Sequence, residues 1–362
     1  MGWLRRFLLQ LAVGANVMAA LLLWLCGLSA GLDPAEHPRV ALFGLGFPLL
    51  LLLNLAFVLF WLVFYVRYVW LPFAGMMLSI SYIYDYCPLN WPEKAPAGAL
   101  KLMTYNTEFL GRGEKGADGR SPMLDYLAAS DADIICLQEA SSMKGLKVEY
   151  ADSIMKACGY QVAGLDDGKR GALLVYSRLP VLSAHRVAYE STGNGSMAVE
   201  LQYGGDTVLL VNNHLESYKL TAEDKLKYKE IIKDPENGHM EDNSKELVKK
   251  MAGASRVRGP QADSVLNYIH KAGHKAVVVC GDFNDSPVSY SCRRMSSELS
   301  SAFRQSGNGL GLSYNQKGFY FRIDHIFVSD YWRTYETHVD KSAVWSDHYP
   351  MITYLEKRKK GD

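Results

Sequence analysis

A chain of 362 residues has room for one large domain or two ordinary ones, and 39 basic against 38 acidic side chains leave a formal net charge of +1. That balance lacks the electrostatic footprint of a dedicated duplex-DNA binder, although it leaves nucleic acid open as a substrate. The cysteines Cys26, Cys87, Cys136, Cys158, Cys280 and Cys292 form no CxxC pair and no even framework, which argues against a zinc site or a disulfide scaffold.

Apolar residues crowd the first quarter in three runs: Phe7 to Leu32, Val40 to Val66, and Tyr68 to about Tyr84. Crossing hydrocarbon takes ~20 residues of helix, so the first two runs suffice and the third is marginal. A cleavable leader is disfavoured, because a second long run follows the first almost at once. Arg5 and Arg6 flank the first run and Arg67 separates the second from the third. With three spans these arginines lie in the cytoplasm, and everything after Tyr84 faces outward, into the periplasm in a Gram-negative cell. Should the third run only lie on the surface, that remainder is cytoplasmic. The expected organisation is a membrane anchor over 1–87, a linker over 88–99 with Pro88, Pro92 and Pro96, and a soluble domain over 100–362.

In the soluble part, strand-length aliphatic runs recur at Leu100 to Tyr105, Asp133 to Leu137, Ala172 to Tyr176, Met197 to Leu201, Thr207 to Val211, Ala276 to Cys280 and Ile323 to Val328. Helical spacing marks Pro122 to Ala129 and Ser244 to Lys271, the latter with an expected break or kink at Gly259-Pro260. A surface loop is expected over Gly238 to Asn243, and the C-terminal Lys357-Arg358-Lys359-Lys360 run reads as a solvated tail.

Several runs end abruptly in an acid, an amide or a histidine: Thr104-Tyr105-Asn106, Leu137-Gln138-Glu139, Asn212-Asn213-His214 and Gly281-Asp282-Phe283-Asn284. Arg322-Ile323-Asp324-His325 opens a further run, and Ser346-Asp347-His348 precedes the apolar Met351 to Tyr354. If these ends share one rim, they form a pocket of carboxylates, amides and imidazoles. Such oxygens suit a hard divalent cation, magnesium or manganese, better than zinc. The same set suits phosphate chemistry, which needs charge stabilisation, an activated water and help for the leaving group. Taken singly, Asp282 and Asn284 also read as turn formers, and Asp324 as a salt-bridge partner of Arg322. Arg258 and Gln261 read equally well as surface hydrogen-bonding residues, and Lys169 and Arg170 as a solvated turn.

The ordered set TYN, LQE, NNHLES, GDFND, RIDHIF and SDHYP resembles the endonuclease/exonuclease/phosphatase family, over Leu100 to about Leu355. The resemblance implies an α/β fold: a four-layer sandwich of two mixed β-sheets flanked by helices, here preceded by N-terminal transmembrane helices. It implies that Glu139 is the principal metal carboxylate, with Asn106 beside it and Asp347 in the same metal region. Asp282 then orients or deprotonates the attacking water and Asn284 binds the scissile phosphate. His214 and His348 face that phosphate, and Asp324 pairs with His348. His214 is absent from the apurinic-endonuclease branch and sets the chain nearer the deoxyribonuclease, sphingomyelinase and phosphatase branches. The expected activity is magnesium-dependent hydrolysis of a phosphate mono- or diester. Its substrate is a phospholipid head group, a phosphoinositide-like ester or nucleic acid, and no protein partner is implied. The alternatives are a nuclease and a membrane-tethered module that binds a phosphate ligand without turnover.

Overall fold

The computed structural model describes residues 2–142, 146–165, 172–191, 193–233, 240–316 and 319–359. Lys169, Arg170 and the 238–239 part of the expected loop lie outside them. The strands, in chain order, are β1 (Leu100–Asn106), β2 (Ile134–Gln138), β3 (Gln161–Leu165), β4 (Leu173–Ser177), β5 (Val181–Arg186), β6 (Gly195–Tyr203), β7 (Asp206–His214), β8 (Ala276–Asp282), β9 (Ser300–Ser301), β10 (Tyr314–Gln316), β11 (Phe319–Phe321), β12 (Asp324–Val328), β13 (Trp332–Val339) and β14 (Met351–Lys357). One six-stranded sheet has the order β13-β14-β1-β2-β4-β3 and the other β5-β6-β7-β8-β12-β9, with β10-β11 a separate hairpin. Both large sheets are mixed: β1 runs parallel to β2 and β7 to β8, and their other pairings are antiparallel.

The two-residue period of a strand sorts its side chains between layers. On β1, Leu100 and Leu102 enter the core between the sheets, whereas Met103 and Tyr105 enter the outer layer. That outer layer carries the Pro122–Ala129 and Val148–Ala157 helices. On β8, Ala276, Val278 and Cys280 face the inter-sheet core, while Val277 and Val279 pack under the Met240–Ala272 helix. The result is the four-layer arrangement of helix, sheet, sheet and helix. Cys136 and Cys280 are free, buried thiols in its centre.

The Met240–Ala272 helix runs through Gly259-Pro260 instead of breaking there, and it already includes residues 240–243. Gly259 serves a close approach: a Cβ on it would lie 2.5 Å from Cγ of Pro34, in the loop between the first two apolar helices. The dipeptide is therefore a contact point between the N-terminal segment and the layered domain. The 88–99 stretch lacks helix and strand, but Asn90 fastens it to the domain by donating to the carbonyls of Arg304 (3.1 Å) and Gly307 (2.7 Å). In the C-terminal basic run, Lys357 pairs with Asp206 and Arg358 donates to the Trp332 carbonyl, so these two residues belong to the folded domain.

Trp3–Ser29 and Pro38–Phe64 are each long and apolar enough to cross a membrane. The third apolar run is not one straight helix: Val66–Leu78 and Ile80–Tyr86 meet at a 70° bend around Ser79, which has non-helical dihedrals. Trp61 is buried and its Nε1 donates to Asn16 Oδ1 at 2.8 Å, and Asn54 Nδ2 donates to the Ala19 carbonyl at 3.1 Å. Trp61 is thus an interhelical anchor.

Candidate active site

The inter-sheet rows of side chains turn from apolar to polar at one end of the sandwich. On β7 the row Val208, Leu210 continues to Asn212 and His214; on β8 the row Ala276, Val278, Cys280 continues to Asp282; on β12 Val328 and Ile326 lead to Asp324. Register does the rest. His214 pairs with Asp282 across the parallel β7–β8 ladder, and Asp324 pairs with Asp282 across the antiparallel β8–β12 ladder. Three candidate side chains thereby stand side by side at one level. Beneath them, Gln138 Nε2 donates to Asn212 Oδ1 (2.6 Å) and Thr104 Oγ1 (3.1 Å), while Asn212 Nδ2 reaches the carbonyls of Leu137 and Leu174. This fully buried amide layer ties the two sheets together.

The opposite sheet supplies Asn106 and Glu139. Asn106 pairs with Gln138 in the β1–β2 ladder, and Glu139 follows in a left-handed conformation (φ 51°) that swings its side chain off the strand's alternation. Asn106 Nδ2 donates to Asp282 Oδ2 at 3.0 Å and lies 3.3 Å from Glu139 Oε1. His214 Nε2 stands 3.7 Å from both Glu139 Oε1 and Asp282 Oδ2. On the other flank, His348 Nδ1 is 2.8 Å from Asp324 Oδ2, and its Nε2 is 3.8 Å from Asp282 Oδ2. Asn284, also left-handed (φ 51°), donates from its backbone to Asp282 Oδ1 at 2.8 Å and from its side chain to the Leu215 carbonyl at 3.0 Å.

The electrostatics follow from this crowding. Burial pushes the Asp282 carboxyl above its usual range, and the neighbouring His348 charge offsets only part of the effect. Burial alone would depress His348, but the Asp324 and Asp282 carboxylates outweigh it and hold the imidazolium well above 6.5. Asp324 Oδ1 and His214 Nδ1 are buried without a hydrogen-bond partner among the described residues. Asp282, Asp324 and His348 each offer a ligand atom within 4.8 Å of one another. Beside this acid–imidazole group, Glu139 with the adjacent Asn106 amide offers carboxylate and amide oxygens that fit a hard divalent cation.

The structure brings Asn106, Glu139, His214, Asp282, Asp324 and His348 into one cluster. Asp347 stands at its edge, where its backbone N–H donates to Glu108 Oε2 (3.1 Å) and Gln316 Nε2 lies 3.4 Å from its carboxylate. The salt-bridge reading of Asp324 fails, because Arg322 turns away to the carbonyls of Leu310 and Asp85. Arg258 and Gln261 are buried: Arg258 Nε donates to the Glu216 carbonyl at 2.8 Å and Gln261 Oε1 accepts from the Glu216 N–H, so both brace the segment after His214. Sequence reasoning missed Glu108, whose carboxyl burial pushes up, and Tyr314, whose ring stands 5.0 Å from the His348 ring. For Glu108 the signal was its position two residues past Asn106; Tyr314 had none.

Residues 103–348 match the sequence profile of the Endonuclease/Exonuclease/phosphatase family, and residues 6–86 match that of a domain of unknown function. No curated protein matches the chain. Similar solved structures include D. rerio TDP2 complexed with a single-strand DNA product (16% identity, TM-score 0.49, covering 72% of this chain and 100% of that one). Another is the human nocturnin catalytic domain with bound sulfate (17%, 0.49, 72% and 94%). A third is the 3' phosphatase NExo from Neisseria bound to a product DNA hairpin (16%, 0.49, 72% and 100%).

Proposed function

We propose, since the chain belongs to the Endonuclease/Exonuclease/phosphatase family, that it is a membrane-anchored hydrolase of phosphate mono- or diesters that works with magnesium or manganese. The observation that carries this reading is the row His214, Asp282, Asp324 facing Asn106 and Glu139, with His348 held by Asp324. Glu139 and Asn106, with Asp347 from the rim, would hold the cation, which supplies positive charge to the phosphate oxygens when bound. Asp282 lies between both imidazoles and accepts from Asn106, a setting in which it orients a water and takes its proton. His348 is kept in one orientation by the Asp324 bond to Nδ1, so its Nε2–H points toward the cluster and offers charge to the phosphate. His214 offers a second donor from the opposite side, and Asn284 is fixed by its two hydrogen bonds to contact the scissile group.

The anchor reading draws on the packing of the apolar segments. Arg5 Nε donates to the Tyr65 hydroxyl at 2.9 Å, which gathers Arg5 and Arg67 at one end of the helices. At the other end Ala30, Phe47 and Tyr86 cluster with Val288 of the soluble domain. Gly75 meets Ala20 and Gly27 meets the Tyr82 ring at the same sequence offset, so the bent third segment runs alongside the first in the same direction. This supports three passages, the basic end in the cytoplasm and the hydrolase outside. The test is a panel on the full chain in detergent: a phospholipid diester, an inositol phosphate monoester and single-stranded DNA, each with and without magnesium. Magnesium-dependent release from at least one ester supports the reading; binding of all three without turnover establishes the non-catalytic module instead.

A further inference from the structure

A cavity of about 670 Å³ lies at the junction of the apolar helices and the soluble domain, apart from the catalytic row. Its walls come from Ala30 at the end of the first helix, the last turn of the third segment, and the stretch from Pro287 to Gln305. Two guanidinium groups face it. Arg304 lies over the Tyr84 ring at 5.4 Å and pairs with Asp85; Arg293 lies over the Tyr82 ring at 5.9 Å and has no ion-pair partner among the described residues. Arg322 donates to the Asp85 carbonyl from behind, so the single carboxylate is outnumbered by arginines. The hydroxyls of Ser296 and Ser300 complete a polar lining.

The position decides what such a lining is for. The cavity opens at the ends of helices long enough to cross a bilayer, and the chain leaving it carries Leu89, 77% exposed, and Trp91, 95% exposed. An exposed Trp beside the end of an apolar helix suits the headgroup layer. Guanidinium groups backed by tyrosine faces present their N–H edges to an oxyanion, which is how basic pockets between membrane helices take anionic headgroups.

We propose that this junction cavity binds the phosphodiester headgroup of an anionic phospholipid, holding it on Arg293 and Arg304. The site rests on the apolar helices being embedded in a membrane but not on the catalytic reading. The experiment uses the purified full chain in neutral detergent, titrated with phosphatidylglycerol, phosphatidylcholine or inorganic phosphate and followed by tryptophan fluorescence and thermal unfolding. Phosphatidylglycerol is expected to bind at least tenfold more tightly than phosphatidylcholine, with millimolar phosphate without effect. Arg293→Gln and the cavity-filling Ser296→Trp should each weaken phosphatidylglycerol binding about tenfold and leave phosphatidylcholine unchanged. Equal affinity for the two lipids, or wild-type affinity in both variants, overturns the proposal. Saturation by phosphate alone also overturns it, in favour of a soluble anion. Flotation with neutral vesicles separates the two readings: if the chain floats and anionic lipid shows no preference, only the headgroup site falls, whereas failure to float overturns the anchor as well.

Discussion

The Asp324 carboxylate reaches His348 Nδ1 at 2.8 Å while Arg322 turns to backbone carbonyls, and on the proposed mechanism the two side chains act as one unit. Either His348→Ala or Asp324→Ala should lower kcat by ~10²–10⁴-fold, and the double variant should cost little more than His348→Ala alone. Losses that multiply in the double variant would show two independent groups. The pH profile gives a second check. His348 is held above 6.5 by Asp324 and Asp282, so the protonated form persists through neutrality and the alkaline limb of activity should begin only as pH rises through that elevated pKa. Removing the Asp324 charge with Asp324→Asn removes one raising cause, so the alkaline limb should move to lower pH; an unmoved limb assigns it to another group. At this scale the short runs GDFND, RIDHIF and SDHYP were legible because each packs several donors into a few residues after a strand. Tyr314 was not, since it joins the cluster alone and through tertiary packing, and Glu108, two residues past Asn106, was overlooked because it lies beyond the end of the strand run.

Elements position these residues through tight approaches between strands. Gly281 has φ 128°, and a Cβ there would lie 2.0 Å from the Asn213 carbonyl oxygen on the neighbouring strand. Gly281→Ala should therefore destabilise the domain by ~3 kcal/mol in urea unfolding and disturb the β7–β8 register beside His214 and Asp282. A loss within ~0.5 kcal/mol, the range of ordinary surface changes, would contradict this account of the glycine. The interior strands β1, β2, β4, β6, β7, β8 and β12 were legible from aliphatic runs bounded by turn formers. β3, β5 and β13 were not, for a physical reason: each lies at a sheet edge and carries exposed polar residues, β5 without a single fully buried side chain, so the apolar signal is diluted. The Gly259-Pro260 pair misled for a related reason, because its glycine answers to Pro34 in a distant segment that local helix chemistry does not reveal.

On the scale of the whole molecule, the N-terminal segment and the hydrolase layers share a surface. Besides Gly259 against Pro34, a Cβ on Gly44 would lie 2.0 Å from the Val288 carbonyl oxygen, four residues beyond Asn284. A reporter fused after Tyr84 should be active only outside the cytoplasm; activity confined to the cytoplasm would reduce the third segment to a surface helix and reverse the orientation. On the proposed function, the acidic cluster between the sheets hydrolyses phosphate esters with a bound hard cation. The direct measurement is the rate of bis-p-nitrophenyl phosphate hydrolysis by the full chain across a magnesium titration, for the wild type and for Glu139→Gln. Exchanging carboxylate for amide removes charge that holds the ion, so the magnesium concentration for half-maximal rate should rise about 10–100-fold, and chelator should abolish turnover in both proteins. Turnover that survives chelator, or a Glu139→Gln titration that overlays the wild type, would contradict the account.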